Sequence, residues 1–222
     1  MTAHAAVRLP AYMTALAQRV KGLGQKHLGR WAPPEEGGRA SAVLILIADT
    51  EGEPDVLLIE KAAMIRRHAG QPAFPGGAAE PGDVDPSGTA LREAAEEVGL
   101  DPSGVTVVAA LPVLYLPPSG HVVTPILAYW HAPGPIGVND PGEIASVARV
   151  QIADLVDPAN RFQVRHPSGY TGPAFAVAGM IVWGFTAGLL SLLLELGGWA
   201  QPWDRSDVRD LEIPAVVQAE LP

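Results

Sequence analysis

The chain has 222 residues, of which 48% are hydrophobic and 18% are charged, and this composition is typical of a globular protein rather than a disordered one. A formal net charge of −9 argues against binding to the phosphates of a nucleic acid. The absence of cysteine excludes disulfides, thiol catalysis and cysteine-based zinc sites.

The N-terminal part predicts a helix followed by a linker. Apolar residues recur at helical spacing between residues 10 and 21, and a stretch rich in Pro and Gly occupies residues 33–41. We therefore expect an N-terminal helical appendage in residues 1–34 and one main domain in residues 35–222. The helix could pack on that domain or serve as a dimerisation arm, so a homodimer is one arrangement to consider.

The middle of the chain predicts β-strands. Residues 41–49 and 56–61 are short apolar runs rich in branched side chains, which is typical of buried strands. Residues 104–116 and 119–130 show the same character, with a turn expected at Ser119 and Gly120. These segments alternate with helical patterns, so the sequence predicts both strands and helices.

A charge-free stretch in residues 172–194 is about as long as a membrane span. It contains Gly179, Gly184 and Gly188, and no cluster of Lys or Arg flanks it. We therefore expect a buried core helix preceded by a loop, with a membrane anchor as the alternative. The first residues lack the apolar run of a secretory signal, so we expect a cytoplasmic protein, in agreement with the absence of cysteine.

The most informative stretch is residues 76–100, in which a turn-rich loop leads into an acidic helix. Residues 89–98 are rich in Ala, Leu, Arg and Glu, which favours a helix. Ser87 or Thr89 is a candidate N-cap, and Gly99 is placed to end the helix. Gly76 and Gly77, at the entry to the loop, permit a close backbone approach.

Three glutamates of this helix predict a metal site. Glu93, Glu96 and Glu97 are spaced i, i+3, i+4 and therefore lie on one face. Like charges repel one another there, so the cluster is either solvated or neutralised by a cation. Glutamate oxygens suit Mg²⁺ or Mn²⁺, which also bind substrate phosphates. The alternative is an ordinary solvated acidic face.

The residues around this helix resemble the signature of the Nudix hydrolase family. Gly77 is followed at fixed spacing by Asp83 and then by residues 92–100, which read REAAEEVGL. Two features depart from the general signature. Asp83 stands where the family has Glu, and eight rather than seven residues separate it from Arg92. Both departures look like the variant of the coenzyme A pyrophosphatase branch.

A second signature of that branch lies directly upstream, in residues 57–77. The chain follows its spacing at LLIEKA, at Arg66, at Gly70 and at FPGG, but Ile59 replaces Thr and Lys61 replaces Arg. Residues 119–125, which read SGHVVTP, look like a further element of the same branch.

The resemblance implies an α/β fold, namely a Nudix-type α/β/α sandwich with a mixed β-sheet. It implies metal-dependent hydrolysis of the phosphoanhydride in a nucleoside diphosphate-linked substrate. Coenzyme A or a derivative is the most direct expectation, with 3′,5′-ADP and a 4′-phosphopantetheine product. The expected cofactor is Mg²⁺ or Mn²⁺ and the expected partner is a small nucleotide, with neither nucleic acid nor a membrane involved.

The expected catalytic residues are Arg92, Glu93, Glu96, Glu97 and Glu143, and the three helix glutamates are also the expected metal ligands. Arg92 is expected to pair with a carboxylate of the cluster or the loop and fix its orientation. Glu143 would be a further metal ligand or a base, or else a turn cap. The expected substrate-binding residues are Lys61, Arg66, Arg67, Phe74, Gly76 and Gly77. Arg66 is the preferred anchor, because Lys61 lacks the two-pronged geometry of arginine.

Two alternatives to coenzyme A hydrolysis remain open. The replacements at Ile59 and Lys61 leave room for another dinucleotide, such as ADP-ribose or NADH. A non-catalytic Nudix domain that senses a nucleotide is the other alternative, although the intact Arg-Glu-x-x-Glu-Glu pattern argues against it, since a sensor does not need a repelling triplet.

Overall fold

The structure is a computed structural model that describes residues 7–24, 37–50, 52–62, 70–116 and 119–211. The described residues fall into two compact units. The first comprises those within Met1–Gly52 and Pro75–Ile136, and the second those within Glu53–Phe74 and Gly137–Pro222.

The described residues form four α-helices and twelve strands. The helices are α1 (Ala11–Lys21), α2 (Pro86–Val98), α3 (Ile152–Val156) and α4 (Gly184–Gly197). The strands are β1 (Arg39–Thr50), β2 (Glu53–Lys61), β3 (Pro72–Ala73), β4 (Gly76–Ala78), β5 (Val105–Ala110), β6 (Leu114–Leu116), β7 (His121–Trp130), β8 (Ile144–Gln151), β9 (Arg161–Arg165), β10 (Thr171–Val177), β11 (Met180–Val182) and β12 (Val208–Asp210).

In the first unit, β1 is the central strand. It pairs in parallel with β7, from Arg39 opposite His121 to Ile47 opposite Tyr129, and antiparallel with the short β4. Strands β5 and β6 pair antiparallel with β7. Seven residues of β1 are buried, five of them consecutive, and a near-continuous apolar run is typical of a strand with a parallel neighbour. The predicted strand over residues 41–49 is confirmed.

Two helices pack on this sheet. The predicted N-terminal helix is confirmed as α1, which buries Met13, Leu16, Ala17 and Val20 and contacts β5. The Tyr12 hydroxyl of α1 donates a hydrogen bond to the Asp49 carboxylate. The boundary between an appendage in residues 1–34 and a domain in residues 35–222 stays a prediction.

Helix α2 contacts β1, β4 and β7. It begins at Pro86, three residues before the predicted start, and the N-cap prediction of Ser87 or Thr89 was wrong. Asp85 is the N-cap, because its carboxylate accepts a hydrogen bond from the Gly88 N–H, and a proline at the first helical position needs no partner for its nitrogen. Gly99 ends the helix in the left-handed conformation, as predicted.

In the second unit, β2 pairs antiparallel with β3 and with β8. A separate four-stranded sheet has the order β11-β10-β9-β12. Helix α4 packs on β10 and buries Leu189, Leu190, Leu193 and Leu194.

The prediction for residues 172–194 was only partly right. The core helix exists, but it begins at Gly184, and the hairpin β10–β11 precedes it where a loop was expected. The hairpin turn consists of Ala178 and Gly179, both at positive φ, a conformation that favours two-residue hairpins. None of the helices in the described part of the chain is long and apolar enough to cross a membrane.

The observed elements confirm a mixed α/β fold with mixed sheets, consistent with the α/β/α sandwich that the resemblance implies. The contact between the short β4 and α2 brings together the glycines and the glutamates that carry the predicted chemistry.

We expect the buried ion pair between β2 and β8 to stabilise the second unit. Asp55 is 1% exposed, and Arg149 donates to both of its oxygens, at 3.0 and 2.7 Å. Arg149→Met removes the cation that binds both oxygens of this buried carboxylate, so we expect the free energy of unfolding to fall by about 3 kcal/mol. Urea unfolding measures this loss.

Arg165→Met is the matched control, because Arg165 pairs with Asp210 at the surface, where both side chains are exposed. That change is expected to cost less than about 1 kcal/mol. Equal losses in the two variants would contradict a stabilising role for the Asp55–Arg149 pair.

Candidate active site

The Gly76-Gly77 pair allows β4 to lie against both β1 and α2. Gly76 has φ 155°, and a Cβ there would fall 2.3 Å from the carbonyl oxygen of Ala42 on β1. A Cβ on Gly77 would fall 2.5 Å from the carboxylate carbon of Glu93 on α2. Both distances are too short for any other residue without a shift. The predicted close approach at the glycine pair is therefore confirmed, and what approaches the pair is β1 on one side and a glutamate on the other.

Two of the three helix glutamates contact this strand. Glu97 is 2% exposed, and its Oε2 accepts a hydrogen bond from the Gly76 N–H at 3.0 Å. The Glu93 carboxylate lies against Gly77. Residues 93 and 97 are one helical turn apart and residues 76 and 77 are adjacent, so the strand brings the two carboxylates to the same short backbone segment.

The guanidinium of Arg92 organises the acidic groups. Its Nε and Nη2 donate to the two oxygens of Asp83 at 3.0 and 3.1 Å. Nη2 also donates to Glu93 Oε1 at 3.1 Å and to the carbonyl oxygen of Ala78 at 3.0 Å, and Nη1 donates to Glu96 Oε2 at 3.0 Å. The prediction that Arg92 pairs with a carboxylate of the cluster or of the loop is thus confirmed, because its guanidinium binds carboxylates of both.

Asp83 is the loop carboxylate that holds Arg92 in place. Its side chain is 9% exposed, and its Oδ2 also accepts from the Glu80 N–H and the Thr89 hydroxyl, both at 2.9 Å. The hydrogen bond from Arg92 holds the pKa of Asp83 well below its usual range, and the Glu80 amide lowers it further. The same pairing raises the pKa of Arg92. The pairing therefore favours the charged form of both groups.

The donor chemistry of the three glutamates suits a hard divalent cation, since each offers carboxylate oxygens. Glu96 is the most open of them, with 60% of its side chain exposed. Within the described ranges, no three acidic or histidine side chains are arranged as a complete metal-binding set. Two of the glutamates instead engage Arg92 and the third engages Gly76. Metal ligation by Glu93, Glu96 and Glu97 stays a prediction.

The second unit brings together two other predicted residues, Lys61 and Glu143. Their Nζ and Oε2 atoms are 3.9 Å apart, and Glu143 is 59% exposed on its side chain. The Ala62 N–H donates to the Glu143 carbonyl at 2.7 Å. A β-bulge between Glu60 and Lys61 shifts the register against β8, and bulges of this kind commonly redirect a side chain beside a functional site.

Of the remaining predicted substrate-binding residues, only Phe74 lies in the described part of the chain. Phe74 is 2% exposed, so its side chain packs in the protein interior. Arg66 and Arg67 lie outside the described residues. The substrate-binding roles of all three, and of Lys61, Gly76 and Gly77, stay predictions.

The Arg92 network also draws on groups that were not among the predicted site residues, besides Asp83 and the Glu80 N–H. The Thr89 hydroxyl and the Ala78 carbonyl each bind one member of the Arg92–Asp83 pair. Thr89 lies three residues before Arg92, so helical spacing could have indicated it. The Ala78 carbonyl has no sequence signal, because any residue supplies one.

We expect Gly76→Ala to destabilise the protein, because the new methyl group would clash with the backbone of β1 and the residue would keep a strained φ. A loss of about 2 kcal/mol in the free energy of unfolding is expected. Gly82→Ala is the control, since a Cβ there meets nothing within 4 Å, and its effect should stay within about 0.5 kcal/mol. Equal losses of unfolding free energy in the two variants, measured by urea unfolding, would show that the close packing at Gly76 does not contribute to stability.

We also expect Asp83 to make stability depend on pH in acid. Its pKa is lower in the folded state than the ordinary value of 3.8, so the unfolded chain binds the extra proton. Its stabilising contribution is complete above the unfolded-state pKa and decreases as the pH falls from there towards the folded-state pKa.

Urea unfolding of the wild type and Asp83→Asn from pH 7 to pH 3 tests this. The wild type should be more stable than Asp83→Asn by a constant unfolding free energy from about pH 7 to 5, and this difference should become smaller below about pH 4. A difference that stays the same down to pH 3 would show that the Asp83 carboxylate is not preferentially ionised in the folded protein.

A curated relative, the uncharacterized Nudix hydrolase NudL of Yersinia pestis (strain Pestoides F), is 55% identical over 60 residues. That match spans only 27% of this chain and 30% of the relative's length.

Solved structures to which the chain is similar include the Nudix hydrolase RenU of M. smegmatis, at TM-score 0.49 and 19% identity, covering 75% of this chain and 91% of that one. A NUDIX hydrolase of Alicyclobacillus acidocaldarius has TM-score 0.47 and 19% identity, covering 73% and 93%. The model of the NUDIX domain family matches residues 38–170, which is 133 of the 222 residues. Because more than half of the chain matches that model, the chain belongs to the NUDIX family.

Proposed function

We propose that this protein is a Nudix pyrophosphohydrolase that cleaves the phosphoanhydride of a nucleoside diphosphate-linked substrate, with coenzyme A or a derivative as the substrate. The observation that carries the proposal is the arrangement of Arg92, the α2 glutamates and the glycine strand. Carboxylates held by one guanidinium and by the Gly76 N–H form an oriented acidic surface rather than a freely solvated one.

Divalent metal ions would be held by Glu93, Glu96 and Glu97. Bound Mg²⁺ or Mn²⁺ would supply charge neutralisation of the diphosphate and a lower pKa for an attacking water. The oxygen-only donor set favours these ions over softer metals such as zinc, which prefer nitrogen and sulfur ligands.

The chain's own groups have separate tasks in this proposal. Arg92 and Asp83 position the glutamates, so that their orientation does not depend on a bound ion. Gly77 leaves room for the Glu93 carboxylate, and the Gly76 N–H holds Glu97 in place. Preorganisation of this kind lowers the cost of arranging charged groups at the moment of reaction.

Lys61 and Glu143 are proposed for the substrate side of the reaction. The Lys61 ammonium would neutralise a phosphate oxygen, and Arg66 and Arg67 are candidate further anchors. Glu143 is proposed to accept the proton of the attacking water, because its carboxylate is exposed while its backbone is fixed by Ala62 and Asp140.

The coenzyme A assignment is supported by the upstream signature in residues 57–77. One of its two departures is structural rather than chemical, because Ile59 is 0% exposed and pairs within β2, β3 and β8. The Thr-to-Ile change therefore falls in the core and does not argue against the substrate. The products would be 3′,5′-ADP and 4′-phosphopantetheine. A cytoplasmic location and a homodimeric state remain proposals beside this one.

The proposal is tested by incubating the pure protein with Mn²⁺ and a panel of coenzyme A, ADP-ribose, NADH and diadenosine polyphosphates. We expect coenzyme A to be cleaved fastest, with 3′,5′-ADP detected by chromatography. Faster cleavage of ADP-ribose or NADH would reject the coenzyme A assignment but keep the reaction class. Binding without turnover of any member would favour the nucleotide-sensing alternative.

Glu97→Gln and Glu53→Gln complete the experiment. The glutamine oxygen can still accept the Gly76 hydrogen bond, so Glu97→Gln should fold normally while turnover falls by about a hundredfold or more. Glu53 is exposed at the start of β2, and the same charge change there should leave turnover within about twofold. A normal rate for Glu97→Gln would remove Glu97 from the catalytic site.

A further inference from the structure

A cleft in the second unit lies among residues that the proposed reaction does not use. It has a volume of about 400 Å³ and is lined by Arg161 of β9, by Glu195 of α4, and by Trp203 and Arg205 of the segment that follows α4. This volume falls in the range of small-molecule sites. None of these residues belongs to the acidic helix or to the Lys61–Glu143 pair.

Arg161 is the unusual member of this cleft. It is only 5% exposed, and its Nε has no hydrogen-bond partner among the described residues. Nη2 donates to the Ser191 hydroxyl at 3.3 Å. Burial lowers the pKa of Arg161, which Glu195 partly offsets. A buried guanidinium with an unused donor is costly unless a further acceptor binds it.

Aromatic rings fix the direction of this guanidinium. Its Cζ lies 4.9 Å from the ring centre of Phe175 and 4.7 Å from that of Trp203. A second cation, Arg205, lies 5.5 Å from the centre of the same Trp203 ring. Two arginines therefore converge on one indole, and across the described ranges neither has a carboxylate within salt-bridge distance. The charge of Arg205 acts against that of Arg161, so an anion would relieve their repulsion.

The segment that carries Trp203 and Arg205 is held to the sheet. The Gln163 side chain donates to the Arg205 carbonyl at 3.1 Å, and the Gln163 N–H donates to the Asp207 carbonyl at 2.8 Å. Strand β12 then pairs in parallel with β9. The wall of the cleft is thus a built part of the fold, and it presents its indole and guanidinium in fixed positions.

We propose that this cleft is a second ligand site, which binds a small organic anion through a carboxylate or phosphate group held by Arg161 and Arg205. Arginine is suited to both groups, because its planar fork donates two parallel hydrogen bonds to a pair of oxygens. Glu195 limits the net charge of the cleft and offers an acceptor for a hydroxyl or amine of the same ligand. The site is independent of the proposed hydrolase function.

The test is ¹⁹F NMR of the whole protein labelled with 5-fluorotryptophan, in metal-depleted buffer. The chain has five tryptophans, and Trp203→Phe identifies the resonance of Trp203. Inorganic phosphate and succinate are titrated separately, with chloride at equal ionic strength as the reference. We expect the Trp203 resonance to shift saturably with at least one of the two anions, and which one does so distinguishes a phosphate site from a carboxylate site.

Two variants of equal charge change decide the role of the arginines. Arg205→Gln should weaken binding by about tenfold or more, because a charge-assisted hydrogen bond is lost. Arg165→Gln should change it by less than about twofold, since Arg165 pairs with Asp210 outside the cleft. Arg205 is exposed, so this variant should fold even if Arg161→Gln does not.

Three outcomes would overturn the proposal. They are the absence of a saturable Trp203 shift up to about 50 mM of either anion, an equal shift with chloride, and equal weakening by Arg165→Gln and Arg205→Gln. Since no divalent metal is present and Trp203 is the reporter, these results do not depend on whether the protein hydrolyses a nucleotide.

Discussion

Mutual repulsion among carboxylates is the constraint on which the candidate site depends. Glu93, Glu96 and Glu97 share a helix face, and a helix gains nothing from like charges at that spacing. Arg92 resolves the conflict by binding two of the glutamates and the loop aspartate at once. The third glutamate, Glu97, is buried and instead accepts a hydrogen bond from the Gly76 N–H. The acidic surface is therefore assembled by the protein itself, and a cation would bind to groups that are already oriented.

The motif residues divide into those that handle charge and those that pack. Ile59 and Phe74 are buried, so their place in the motif reflects the interior of the second unit. Lys61 follows a bulge and approaches Glu143, and its role in binding substrate stays a prediction. We therefore expect a change within the upstream motif to bear on the substrate at charged positions rather than at buried ones.

Local patterns predicted the elements better than their ends and their partners. The apolar run of β1, the N-terminal helix and the end of α2 at Gly99 follow from periodicity and glycine placement. The hairpin before α4 was missed because its residues are apolar throughout, which hides the alternation of a strand, and because Ala178 gives no signal of a positive φ. The Arg92 pairing followed from helix spacing, but Asp83 as its main partner required the folded loop. The approach of Lys61 to Glu143 joins distant positions, so no local spacing could reveal it.

The parallel pairing of β1 with β7 has a consequence for how the chain is made. The partner of Arg39 is His121, which lies 82 positions later in the sequence. During synthesis, the glycine strand and the acidic helix leave the ribosome while the apolar β1 still lacks β7 along most of one edge. Contacts of such long range form slowly and leave unpaired strands open to aggregation. The apolar β1 thus stays open to unwanted pairing until the segment ending at Trp130 has emerged and folded against it.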